Sequence, residues 1–180
     1  MAGDPVTLIW ALASVMLGCT GSAQTRMSEA VSGMDERVSR AGLLYERAVF
    51  TGEVRHDTAA AVPVLEQSLK LASQAGDKAV QAEALRHLGI AAHGTGRLEV
   101  ARQRLEESTR LRREIGHLPG AAANMVGLAY IAAAQQRSDD ALALLDEASA
   151  IAEASQAHRI LRQVSEARAE LSDPHTPRPA

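Results

Sequence analysis

The sequence predicts an all-α fold, and three observations carry that prediction. Strand signals are nearly absent: few stretches alternate apolar with polar residues, and no Asn-Gly or Asp-Gly hairpin turn occurs. From residue 26 onward, apolar positions recur at spacings of three and four, the period of a helix face. Met27, Val31, Met34, Val38, Ala41, Tyr45 and Ala48 form one such stripe, and Ile160, Val164, Ala167 and Leu171 form another. The third observation is internal repetition in one fixed register, which superposes Ala61 on Ala101 and Ala141, Leu65 on Leu105 and Leu145, and Leu71 on Leu111 and Ile151. Glu66, Glu106 and Asp146 keep the same register, as do Ser68, Ser108 and Ala148; upstream, Leu88 falls on Leu128, Ala92 on Ala132 and Arg97 on Arg137.

Residues 1–25 contain an uncharged apolar run from Val6 to Leu17, followed by Gly18-Cys19-Thr20-Gly21-Ser22. The run is too short for an ordinary membrane-spanning helix, and two readings stand. In the first it is a buried helix, with Asp4 as N-cap, Pro5 at the first helical position, Trp10 and Leu17 packing on the repeats and Gly21 as terminator. In the second it is signal-like, and Met16-Leu17-Gly18-Cys19 resembles a lipobox in which Cys19 is the lipidation candidate. The stretch Met1 to Pro5 carries Asp4 and no basic residue, which departs from the export pattern and favours the buried helix.

The repeats follow over 26–156, in units of about 36–75, 76–115 and 116–156, each reading as two helices. The first unit is loose, with helices near 36–53 and 58–74 separated at His56-Asp57 and with Pro63 inside the second. In the second unit, Gly76 is placed to end the preceding helix in a left-handed conformation and Asp77 to cap the next. That helix runs to about His93; Gly94-Thr95-Gly96 turns the chain, and a second helix spans about Leu98 to Ile115 before Gly116. The third unit places Pro119 near a helix start, a helix over about 119–135, and Ser138 as the cap of its second helix, with Asp139 and Asp140 favourable to the helix dipole. Residues 157–172 read as a closing helix, and the proline-rich stretch 173–180 as a disordered tail.

Composition removes several functional classes. One cysteine among 180 residues forms neither an internal disulfide nor a Cys-rich zinc site. With 19 basic against 22 acidic residues there is no global pull toward nucleic acid or anionic lipid, and four aromatics (Trp10, Tyr45, Phe50 and Tyr130) make no stacking platform for single strands. The histidines at 56, 87, 93, 117, 158 and 175 show no metal-binding spacing, and no nucleophile elbow, P-loop or dinucleotide fingerprint occurs. No catalytic residue, metal or cofactor is therefore expected. Arg102, Arg104, Arg110, Arg112 and Arg113 are interleaved with Glu99, Glu106, Glu107 and Glu114, which reads as a solvated helix face laced with ion pairs rather than as a DNA-binding patch.

The segment Leu85-x-x-Leu88-Gly89-x-x-Ala92, followed by Gly96, Ala101, Leu105 and Ser108, resembles the tetratricopeptide repeat. Met125, Leu128, Ala129, Ala132, Ala141, Leu145 and Ala148 fit the same frame, and Tyr45, Ala48, Ala61, Leu65 and Ser68 fit it more weakly. The longer period of about forty, the missing tryptophan and tyrosine and the missing closing proline make it more similar to the Ala-rich bacterial subtype with long helices. The resemblance implies a short right-handed α-solenoid of antiparallel hairpins, with the first helix of each repeat lining a concave groove that takes a protein or peptide partner. On that frame the groove residues are Glu46, Phe50 and Glu53; Glu83, Arg86, Ile90 and His93; and Ala123, Val126, Tyr130 and Ala133, with His87 and Asn124 near the rim. Phe50 and Tyr130 have a second reading, as packing between helices.

The expected function is a non-catalytic interaction scaffold or adaptor in the cytoplasm of a bacterium, binding a peptide or helix and neither nucleic acid nor membrane. Two other readings are a sensory or regulatory module related to those of bacterial transcriptional regulators, and an exported lipoprotein adaptor anchored through Cys19. The Ala-rich edge leaves homo-oligomerisation open.

Overall fold

The structure is a computed structural model and describes residues 40–49, 51–52 and 58–172. Contacts divide the chain into Met1–Arg40 and Ala41–Ala180, and apart from Arg40 every described residue belongs to the second unit. The expectations for the N-terminal segment and Cys19, for Phe50, for Glu53 and for the tail lie outside the described residues.

Among the described residues the helices follow in this order: α1 (Arg40–Val49), α2 (Thr58–Ala75), α3 (Lys78–Gly94), α4 (Leu98–Glu114), α5 (Leu118–Ala134), α6 (Ser138–Ala154) and α7 (His158–Ser172). Helices α3 to α6 are each 17 residues long, and that equality comes from the turns between them. Gly76, Gly96, Gly116, Gln136 and Gln156 recur at one constant interval, and all five have positive φ, between 53° and 74°. After each, the next residue donates its backbone N–H to a carbonyl on the helix just ended: Asp77 to Ala72, Arg97 to Ala92, His117 to Arg112, Arg137 to Ala132 and Ala157 to Ala152, at 2.8–2.9 Å. This is the Schellman termination, which satisfies carbonyls that the helix end would otherwise leave bare. The expected glycines at 76, 96 and 116 do this work; at 136 and 156 a glutamine does it, against the steric cost of a Cβ in that conformation.

Helix starts are less uniform. The Asp77 carboxylate accepts from the Val80 N–H at 3.1 Å, as its position predicts. Ser138 is not the cap of α6: Arg137 occupies the N-cap position without a side-chain bond, and Ser138 is the first helical residue. Of the expected helix near 36–53, the described residues show α-helix over Arg40–Val49 and a wider, π-type turn at 51–52.

The seams between helices are built from small residues. Ala61, Ala101 and Ala141 are buried in successive repeats, as are Ala72, Ala92, Ala132 and Ala152 at the helix ends. Leu105 of α4 fills a notch made by glycines on both neighbours. A Cβ on Gly89 of α3 would stand 3.0 Å from Leu105 Cγ, and one on Gly127 of α5 would stand 3.1 Å from Leu105 Cδ1. Ser68 and Ser108 occupy the same repeat position, and each donates to the backbone of an earlier helix, Ser68 to Ala41 O at 2.7 Å and Ser108 to Ala82 O at 2.6 Å. The closing helix buries Ile160, Val164 and Ala167 against Met125, Val126, Ala129 and Leu145, the stripe read from the sequence.

Contacts between alternate helices run along the odd-numbered set, α3 to α5 and α5 to α7, and no contact of comparable extent joins α2 to α4 or α4 to α6. The backbones of α3, α5 and α7 thus approach one another more closely than those of α2, α4 and α6, and on that measure the odd face is the inner one.

Two substitutions of opposite sign test this packing. Leu105→Ala removes the side chain that both glycine notches are shaped around and is expected to cost about 2–5 kcal/mol in urea denaturation. Gln136→Gly relieves the left-handed side chain and is expected to stabilise by up to about 1 kcal/mol. A destabilised Gln136→Gly variant would contradict the turn assignment.

Candidate functional site

Residues three or four apart share a face of a helix, which groups Glu83, Arg86, Ile90 and His93 on α3. Arg86 is the most constrained of them. Its Nη1 donates to Asn124 Oδ1 on α5 at 3.0 Å, Asn124 Nδ2 donates to Ser108 Oγ on α4 at 2.8 Å, and Ser108 closes the ring on the α3 backbone. Three helices are thereby tied by one chain of hydrogen bonds inside an otherwise apolar seam. Both polar ends of the Asn124 amide are used, as burial requires.

A second buried cation lies beside the first. Arg112 is only 4% exposed, and its Nη2 sits 2.7 Å from Glu83 Oε1. Its Nε has no hydrogen-bond partner among the described residues. Burial, reinforced by the positive charge of Arg112, pulls the Arg86 guanidinium below the ordinary arginine range, while Glu83 acts in the opposite direction. Gly120 makes room for Arg112: a Cβ there would collide with Arg112 Nη1 and with the His117 ring. Around these groups lies a cavity of about 420 Å³, lined by Glu83 and Arg86 of α3, Arg112 of α4, His117, Gly120 and Ala123, and His158 and Arg159 at the start of α7.

Two residues take roles other than those the sequence suggests. Asn124 is fully buried and not on a rim, because its amide is committed to Arg86 and Ser108. Arg112 is not part of the solvated arginine face, because it turns inward to Glu83. Arg102, Arg110 and Arg113 behave as that face predicts: Arg102 pairs with Glu99 and Glu106, Arg110 with Glu107 and Glu114, and Arg113 with Glu147 of α6. Hydrogen bonds from Arg102, Arg110 and Lys78 hold the carboxyls of Glu99, Glu107 and Glu114 respectively below the usual range.

Glu46 is exposed on α1, His93 is half-buried, and Ile90 is 48% exposed, a large apolar side chain facing solvent. Val126 is buried, while Ala123 and Ala133 are half-buried. His87 is half-buried with Nδ1 3.1 Å from Glu83 O, and its ring meets Tyr45 edge-on with centroids 5.4 Å apart. Tyr130 is half-buried against the α5–α7 core, and its hydroxyl donates to Glu170 at 2.7 Å. Sequence reasoning missed Arg112, Gly120 and Arg159 as site residues. The repeat register held a signal for the first, since Arg112 stands where its repeat equivalents are Ala72 and Ala152.

Among the described residues, no group of three or more His, Cys, Asp and Glu side chains is placed to hold a metal ion, and no helix is long and apolar enough to cross a membrane. The architecture is that of an all-α helical-repeat protein. Residues 40–114, which cover α1 to α4, match the family model of the tetratricopeptide repeat. Comparison with curated proteins and with solved structures gives no significant match. Tetratricopeptide repeats generally mediate protein–protein interaction, and the family is typically a non-catalytic scaffold.

The two tyrosines report on the inner face. Burial, then the hydrogen bond to Glu170, pushes the Tyr130 phenol up to about 12, and burial with the charges of Glu83 and Glu46 pushes Tyr45 upward as well. A raised phenol is kept protonated by the fold, so its contribution to stability is complete below the ordinary tyrosine range near pH 10 and is lost as pH rises through about 12. Ultraviolet titration should show no tyrosinate until the pH passes about 10. A full transition centred on the ordinary value in folded protein would contradict the burial of both rings.

Proposed function

We propose that this chain is a non-catalytic adaptor that holds a peptide or helix of a protein partner along the face of the odd-numbered helices. The observation that carries the reading is Ile90, nearly half exposed on the inner face at one turn from Arg86. A large apolar side chain in water beside a guanidinium fixed by Asn124 suits a partner that brings an apolar anchor and an acidic group. Ile90 and Tyr130 occupy the same position in successive repeats, and Phe50 is their equivalent one repeat earlier. An apolar row along the repeats would then run beside Glu46, Glu83, Arg86 and His93, with Asn124 as the support of Arg86. The helices are rigid before the partner arrives, so little ordering cost falls on this side of the complex. A cytoplasmic bacterial setting and the absence of nucleic-acid and membrane partners belong to the same reading.

A second reading, a sensory or regulatory module that takes a small ligand, is supported by the cavity around Arg86 and Arg112.

The adaptor reading is tested by crosslinking the protein in its native cell and identifying what is captured. Ile90→Asp is expected to remove most of the capture while leaving the helical circular dichroism unchanged, because the side chain is exposed. Leu142→Asp, at a similarly exposed position on α6, is expected to leave capture intact. Capture that survives Ile90→Asp, or is lost with Leu142→Asp, would place the partner elsewhere.

A further inference from the structure

We propose that the cavity between α3, α5 and α7 is a binding site for a phosphate group, held by Arg86, Arg112 and Arg159. The first argument is charge. Among the described residues, three guanidiniums line this space against one carboxylate, Glu83, and Glu83 already shares its charge with Arg112. With the two histidines neutral the site carries an excess of two positive charges, which a phosphate monoester dianion balances and a single carboxylate does not.

The second argument is the unsatisfied donor. A guanidinium removed from water normally has its N–H groups paired, and an orphan calls for a missing partner. Arg112 is 4% exposed, lines the cavity, and leaves its Nε without an acceptor among the described residues. Glu83 occupies Nη2 only. Arg86 likewise commits Nη1 to Asn124, and this contact fixes its position on the cavity wall.

The third argument is that the site is built into the repeat at a cost. Equivalent helix-end positions are alanines at 72, 92, 132 and 152, so the repeat itself needs no arginine at position 112. Holding one there requires Gly120 to give up its side chain and Glu83 to be drawn inward. The far wall is the first turn of α7, with His158 and Arg159, where the positive end of the helix dipole also favours an anion. Phosphate offers acceptors in a tetrahedral arrangement, which matches donors arriving from three helices.

The proposal does not depend on partner docking along the Ile90 face, since the cavity would take phosphate with no partner present. The experiment is phosphorus NMR of inorganic phosphate titrated against the full chain at constant ionic strength, with acetate and chloride as controls, followed by a thermal-shift series. Saturable broadening and a rise in Tm with phosphate, absent with acetate and chloride, is the expected result. Arg159→Gln changes an exposed side chain, and Arg112→Ala restores the residue that the other helix ends carry, so both variants are expected to fold. Each should weaken phosphate binding by about ten-fold or more. A phosphoserine peptide that binds more tightly than inorganic phosphate would assign the group to a modified partner, and equal affinity would assign it to free phosphate or a small ester. Absence of saturation, equal response to acetate, or unchanged binding in both folded variants would overturn the site. Phosphate binding that persists in Ile90→Asp while capture is lost would separate this site from the docking face.

Discussion

Every feature of this molecule depends on where the backbone is allowed to turn. A left-handed residue closes one helix and opens the next at a constant interval, from Gly76 to Gln156, and each turn completes its own hydrogen bonds within a short stretch of chain. The constant interval between turns sets helix length, and equal helices keep equivalent side chains in phase. That phase lets alanine meet alanine at 61, 101 and 141, and lets Leu105 stand against Gly89 and Gly127 together. A shift of a single residue in one turn would rotate the following helix by about 100° and present the wrong face to both neighbours.

Within that apolar frame the polar groups are few and concentrated. Ser108, Asn124 and Arg86 link three helices through one chain of hydrogen bonds, and Arg112 with Glu83 lies alongside. Burying charge in an alanine-rich seam is costly, and the ion pair with Glu83 offsets only part of that cost while one donor stays unmet among the described residues. A stack assembled for stability alone would have kept alanine there. On the proposed reading it is a cationic lining whose guanidiniums are oriented by Asn124 behind Arg86 and by Glu83 beside Arg112.

Much of this was legible in the residues. The period, the three turn glycines, the cap at Asp77, the Leu105 position and the stripe of the closing helix all follow from local chemistry, which acts within a turn or two of sequence. The departures share a physical origin in tertiary context. Gln136 and Gln156 adopt a conformation that side chains resist, held there because the flanking helices are already placed by packing. Ser138 lost the capping role because the repeated turn sets the helix start one residue earlier, at Arg137. Arg112 reads as a surface charge by its neighbours in sequence, and only Gly120, on the following helix, explains how it fits inside. Asn124 reads as a rim residue until its two partners on other helices are known. Among the residues expected on the groove, Asn124 is a buried support of Arg86, while Ile90 stands in solvent.

A stack built on repeating backbone turns has a difficulty that a single irregular domain lacks. The turns and the buried alanines repeat from one unit to the next, a translational symmetry that by itself marks no position along the stack. Arg112 removes that translational symmetry. It occurs in only one of the equivalent positions, and a ligand held there, as proposed, would have one place along the stack.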